Sequence, residues 1–143
     1  MLNINKQKMK YSLQSERVPI YEKDDNGNIK YITVDGEKVP VETGEYEIGY
    51  TTPVTFYANI SNKLDEALMK EFGVDNSTDY AQIVTNKGYL PLAVGSVIWK
   101  RSPVGYKYIE LGIPDALTCD YTVKGVADEG LTVDLFLLQR NVK

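Results

Sequence analysis

Apolar and polar residues alternate most regularly towards the C-terminal end of the chain. Cys119, Tyr121 and Val123 alternate with Asp120, Thr122 and Lys124; after Asp128-Glu129-Gly130, Leu131, Val133, Leu135 and Leu137 alternate with Thr132, Asp134, Phe136 and Leu138. A period of two on both sides of a glycine-containing turn predicts a hairpin from Cys119 to Gln139 with a buried face. Phe136 and Leu138 make the second strand apolar on its other face as well, so a central position in the sheet is expected for it.

The same pattern recurs upstream. Val54, Phe56 and Ala58 alternate with Thr55, Tyr57 and Asn59, Tyr80 to Thr85 reads as a strand, and Val94 to Lys100 as another that ends in the sole tryptophan, Trp99. The one helix is predicted over about 61–72, where Leu64, Ala67, Leu68 and Phe72 form an apolar stripe, Asn62 and Asp65 mark the start and Gly73 the stop. Between Val18 and Glu42 the pattern predicts two successive hairpins. Val18-Pro-Ile-Tyr turns at Asp25-Asn26-Gly27 into Ile29, Tyr31 and Thr33, and Asp35-Gly36 turns again into Val39-Pro40-Val41. Pro19 and Pro40 each remove a ladder donor, which places these strands at edges or on an arm projecting from the body. Residues 1–17, with only Leu2, Ile4, Met9, Tyr11 and Leu13 to bury, read as an N-terminal arm, and 101–118, with Pro103, Gly105, Gly112 and Pro114, as a long loop.

These elements predict a mainly β fold: a small β-barrel or sandwich with a protruding β-hairpin arm and one short α-helix. The 143 residues form a single β-rich domain in this reading, with an arm at 1–17, the hairpin region at 18–49 and the barrel body at 50–143. Such a length buries about two-thirds of the unfolded surface. Charge adds a distinction between regions. The net charge is −4, yet Lys6, Lys8 and Lys10 give residues 1–10 a charge of +3, so the remainder carries −7. Residues 22–47 alone hold eight acids against three lysines, a net −5. That balance argues against gripping nucleic-acid phosphates, which requires clustered Lys and Arg, though not against standing beside DNA. Eleven tyrosines against three phenylalanines suit strands and half-wet contact surfaces.

The chain has no histidine, so a Ser-His-Asp or Cys-His catalytic site and the usual Cys/His zinc sites are excluded. It contains no phosphate-binding glycine loop, and no cofactor is expected. Glu22 to Gly27 imitates the start of a calcium loop, but Thr33 then falls where a bidentate glutamate is needed. Cys119 lies on the apolar face and reads as a buried, inert thiol. The sequons Asn59-Ile60-Ser61 and Asn76-Ser77-Thr78 read as chance occurrences, because no export signal is recognisable and no apolar run approaches a membrane span. Tyr46, Tyr50 and Tyr57 near Glu45 and Glu47 leave a carbohydrate- or peptide-binding β module as a competing reading, and carboxylate pairs of this kind are required, across a cleft, for glycoside hydrolysis.

Several phrases are similar to the small head-closure, or head–tail connector, proteins of the neck of tailed bacteriophages infecting Gram-positive hosts. They are Val18-Pro-Ile-Tyr-Glu, Asp25-Asn-Gly-Asn-Ile, Glu42-Thr-Gly-Glu-Tyr-Glu-Ile-Gly-Tyr, Pro53-Val-Thr-Phe-Tyr-Ala-Asn-Ile-Ser, Ile98-Trp99, and Asp120-Tyr-Thr-Val-Lys before a leucine-rich last strand. The resemblance spans most of the chain and implies a non-enzymatic virion protein, made in the host bacterial cytoplasm. It would form a homo-oligomeric ring of 12 or 6 subunits beneath the portal and adaptor proteins, retaining packaged DNA and docking the tail through a tail terminator protein. Double-stranded DNA would pass the ring without specific binding, and no membrane would be involved. A tail terminator or completion protein of the same neck is the nearest alternative. In this picture Asp24, Asp25, Asp35, Glu37, Glu42, Glu45 and Glu47 are candidates for a channel-facing or gating loop, with 101–118 as the rival gate. Tyr46, Tyr50, Tyr57, Trp99, Tyr106 and Tyr108 are candidates for subunit interfaces.

Overall fold

The computed structural model describes residues 6–74, 79–130 and 132–141; Leu2, Ile4, the Asn76-Ser77-Thr78 sequon and Leu131 lie outside them. The strands run in chain order as β1 (Gln7–Ser12), β2 (Gln14–Tyr21), β3 (Tyr31–Val34), β4 (Glu37–Pro40), β5 (Glu42–Tyr50), β6 (Val54–Ala58) and β7 (Ile60–Ser61). Helix α1 (Glu66–Phe72) follows, then β8 (Tyr80–Asn86), β9 (Val97–Trp99), β10 (Tyr106–Tyr108), β11 (Ile113–Pro114), β12 (Tyr121–Ala127) and β13 (Val133–Arg140). The fold is mainly β, with one α-helix and a nearly closed, barrel-like sheet. The chain divides into two compact units, Met1–Gln14 with Tyr50–Lys143, and Ser15–Gly49.

The body is a seven-stranded sheet in the order β6-β1-β9-β12-β13-β8-β7, antiparallel at every pairing. The C-terminal hairpin is central, with β12 between β9 and β13, and β13 between β12 and β8. Met9, Phe56, Ile83, Ile98, Val123, Phe136 and Leu138 fill the interior, and the Tyr11 ring meets Phe56 edge-on at 5.5 Å. Full burial of one such side chain stabilises by about 1.5–3 kcal/mol.

Strict alternation fails once in the hairpin. The register passes from Val123↔Leu138 to Gly125↔Leu137, leaving Lys124 as an extra residue. This bulge turns Gly125 outward and Val126 inward. The interior face of β13 is therefore Phe136 and Leu138, while Leu135 and Leu137 face out and are covered by Leu64, Leu68, Met69 and Phe72 on and around α1. A Cβ at position 125 would lie 2.5 Å from the Phe72 ring, so glycine is what allows the helix to seat there. The helix is shorter than the stripe suggested. Asp65 caps it, accepting from the Ala67 amide at 2.9 Å, because Ile60 and Ser61 are drawn into pairing with β8 instead. Gly73, at φ 65°, supplies the stop.

Two expectations change. The segment expected as an N-terminal arm contains β1, which is paired with β6 on one side and β9 on the other, with Met9 buried. Tyr11 and Leu13 pack against the same interior cluster as Met9, and two neighbouring strands supply the ladder. The 101–118 loop contains the β10–β11 hairpin and two 3-10 turns, Ile109–Leu111 and Ala116–Thr118. Val104 and Ala116 of this segment, with Tyr50, cover the outward side chains of β9, Val97 and Trp99, together with Cys119.

The second unit has no comparable core. β2 pairs with β5 and β3 with β4, so the predicted hairpin between Val18–Tyr21 and Ile29–Thr33 is replaced by a Lys23↔Ile29 bridge around the Asp24–Gly27 turn. The Glu22 amide is taken up instead by the Val41 carbonyl at 2.8 Å. Asp35 at φ 51° and Gly36 at φ 84° close the β3–β4 hairpin. Positive φ at both central residues is the geometry that Asp-Gly accommodates.

Candidate functional site

The acidic candidates all belong to the Ser15–Gly49 unit and are exposed. Asp24 shapes its own turn, where its Oδ1 accepts from the Asn26 and Asn28 amides at 2.9 and 3.0 Å. Asp25 occupies the same turn, Asp35 the β3–β4 turn and Glu37 the start of β4. Glu42, Glu45 and Glu47 lie along β5. Burial pushes the Tyr21 phenol up, and Glu42 beside it adds to the shift. Large apolar side chains share this surface. Ile32 is 54% exposed and Ile48 66%, with Tyr31, Val34, Val39 and Tyr46 also exposed; among the described residues of the unit Ile29 alone is a buried hydrophobic.

The aromatic candidates separate. Tyr46 is exposed, with the Arg17 guanidinium 5.2 Å from its ring centre, a cation–π contact. Tyr57 and Tyr106 are exposed and Tyr108 is half-buried. Trp99 is a correction: at 2% exposure it belongs to the core, where its indole Nε1 donates to Thr118 Oγ1 at 3.0 Å. Trp99 terminates a strand whose outer face needs cover, and the 101–118 segment supplies it. Tyr50 packs half-buried into that same cluster. The ends of the segment are tied down by the Gly105 amide donating to Thr118 Oγ1 and by Asp115 N donating to Gly105 O. Its tips leave Ile109 and Leu117 72% and 87% exposed.

Sequence reasoning missed the most organised polar cluster. Asp120 Oδ2 accepts from the backbone amides of Lys100, Arg101 and Ser102 at 2.8–2.9 Å, and Oδ1 from the Ser102 hydroxyl at 2.7 Å. Burial alone would raise the pKa of this carboxyl, but the Ser102, Arg101 and Lys100 hydrogen bonds outweigh it and hold the group well below the usual carboxylate range. The turn after β9 is thereby folded back so that Lys100, Arg101, Arg140, Asn62 and Asn141 line a cavity of about 270 Å³ beside Asp120. Burial lowers the Lys100 pKa, and the charges of Arg101 and Arg140 lower it further against the opposing pull of Asp120. Like charges gathered in this way favour an anionic ligand. The adjacent Lys100-Arg101 pair is visible in the sequence; its meeting with Arg140 follows only from β9, β12 and β13 lying side by side.

A second cavity, about 260 Å³, opens where β6 and β8 approach across the seam of the sheet, lined among others by Lys6, Tyr57, Thr85 and Tyr89. Tyr89 Oη accepts from the Tyr57 amide there at 3.3 Å. Among the described residues no group of three or more Cys, Asp or Glu side chains is placed to hold a metal ion, and no helix is long and apolar enough to cross a membrane. Compared with protein-family models, curated proteins and solved structures, the chain matches none of them.

Proposed function

We propose that this chain is a structural, non-enzymatic component of the neck of a tailed bacteriophage virion, a head-closure protein that assembles as a ring between the portal and adaptor above and the tail terminator below. The observation that carries the reading is the Ser15–Gly49 unit: ordered strands that expose large apolar side chains beside a run of carboxylates, with Ile29 their one buried hydrophobic among the described residues. Apolar surface of this extent on a unit without its own core is surface for a partner. The carboxylates of Asp24, Asp25, Asp35, Glu37 and Glu42 suit a wall along which DNA slides, because like charge repels phosphates. The exposed Tyr46, Tyr57 and Tyr106 suit subunit contacts. A ring of 12 or 6 subunits at the virion neck, with double-stranded DNA passing through and no membrane contact, is the corresponding assembly.

Cryo-electron microscopy of particles from cells producing this chain with its neighbouring gene products tests the reading. The expected result is ring density at a portal vertex, with residues 15–49 facing the channel or a neighbouring subunit. Absence of the chain from purified virions by mass spectrometry overturns it.

A further inference from the structure

The cavity beside Asp120 collects three cations, Lys100, Arg101 and Arg140, and one carboxylate. That carboxylate is engaged by the turn amides and the Ser102 hydroxyl. The cavity therefore presents a net charge of about +2 to an incoming group. The same chain carries its densest negative charge on residues 22–47, a net −5. On β5, Glu45 and Glu47 are exposed and two residues apart, hence on one face and about 7 Å from each other along the strand. Two carboxylates are the charge complement of a cavity lined by two arginines and a lysine, and arginine–carboxylate pairs are the stronger, directional kind of charge-assisted hydrogen bond.

We propose that the Lys100–Arg101–Arg140 cavity receives the Glu45 and Glu47 carboxylates of a second copy of this chain. The two surfaces differ, so the contact is head-to-tail and propagates; it closes into a ring when the rotation per subunit permits. In assigning a role to that closure, the inference rests on the neck reading. Asn62 at the cavity wall adds an amide that can orient the strand. The exposed Tyr46 and Ile48 point to the opposite face of β5 and are left for a different neighbour.

Zero-length carbodiimide cross-linking of concentrated full-length protein, with unlabelled and nitrogen-15-labelled chains mixed, identifies intermolecular links by mass. The expected product joins Lys100 to Glu45 or Glu47 of another chain, and it falls to background in 1 M salt, where screening acts over about 3 Å. The exposed double variant Arg101→Glu/Arg140→Glu loses the link. Combining it with Glu45→Arg/Glu47→Arg restores self-association, read by sedimentation velocity because positions 45 and 47 then offer Lys100 no carboxylate and carbodiimide does not couple arginine to an acid. Absence of the link in the wild type, insensitivity to salt, or failure of the charge exchange to restore association overturns the proposal. Saturable binding of inorganic phosphate in the cavity that leaves the cross-link yield unchanged does so as well, in favour of a small-anion site. Particle composition is measured independently: a chain found in virions without this link keeps the neck role and loses this contact, whereas a chain absent from virions that gives the link keeps the contact and loses the neck.

Discussion

The body and the Ser15–Gly49 unit are built from similar strands but hold their shape by different means. In the body each central strand has two partners, and its side chains are buried inside the sheet, under α1 or under the 101–118 segment. In the smaller unit every strand belongs to a two-stranded ladder, and the residues between β2 and β5 are fixed by turn chemistry at Asp24 and Asp35-Gly36. Two-stranded ladders are marginal in water by themselves. Closure of a sheet stabilises the first region, and local backbone geometry shapes the second while leaving its apolar side chains available.

The sharpest separation comes from the core. Phe136→Ala should cost about 3–5 kcal/mol, seen as a lower urea midpoint with little change in slope. A loss below about 1 kcal/mol would mean that the interior of the sheet is not the source of the body's stability. Asp120→Ala, which strips the Lys100–Ser102 turn of its acceptor, should cost about 2 kcal/mol. The acid dependence has a definite sign. The carboxyl is held below its unfolded value of about 3.9, so its contribution is complete above that pH and is lost as pH falls further. Asp120→Asn should accordingly flatten the stability profile below about pH 4, and equal slopes for variant and wild type would remove the role assigned to these hydrogen bonds.

Excision of the smaller unit is the direct test of independence. Thr51 N donates to Leu13 O at 2.9 Å and Leu13 N to Thr51 Oγ1 at 3.0 Å, so the chain leaves and re-enters the body at neighbouring positions. Replacing residues 15–49 with a short glycine-containing turn should change the stability of the body by less than about 1 kcal/mol and, on the proposed neck role, abolish particle incorporation; collapse of the body would show that the two regions fold as one. Smallest of all is Ile48→Ser, expected to lie within about 0.5 kcal/mol of wild type because the side chain is exposed. Its effect should appear in assembly instead, and a large loss of stability would show that Ile48 is packed against its own chain.

The alternation in Tyr121–Val123 and Phe136–Leu138, the Asp-Gly turn at Asp35 and the helix stop at Gly73 depend on interactions within a few residues, and such features are legible in sequence. The start of α1 is not, because Ser61 has a pairing partner more than twenty residues away. Nor is β1, whose burial comes from β6 and β9 rather than from its own composition. Among the site residues, the exposure of the β5 acids is legible from their density. The burial of Trp99 is not, since it depends on the 101–118 segment folding over β9.

By itself, then, the sequence determined a β-rich chain with turns at Asp25-Asn26-Gly27 and Asp35-Gly36, a short helix ended by glycine, and an acidic stretch of low apolar burial, because propensity, periodicity and charge are local properties. Only the tertiary structure decided that Lys124 bulges so that Val126 points inward, that Gly125 admits Phe72, and that Lys100, Arg101 and Arg140 share one cavity. Each of these depends on which strands become neighbours, and strand neighbours are chosen by burial summed over the whole sheet rather than by any single segment.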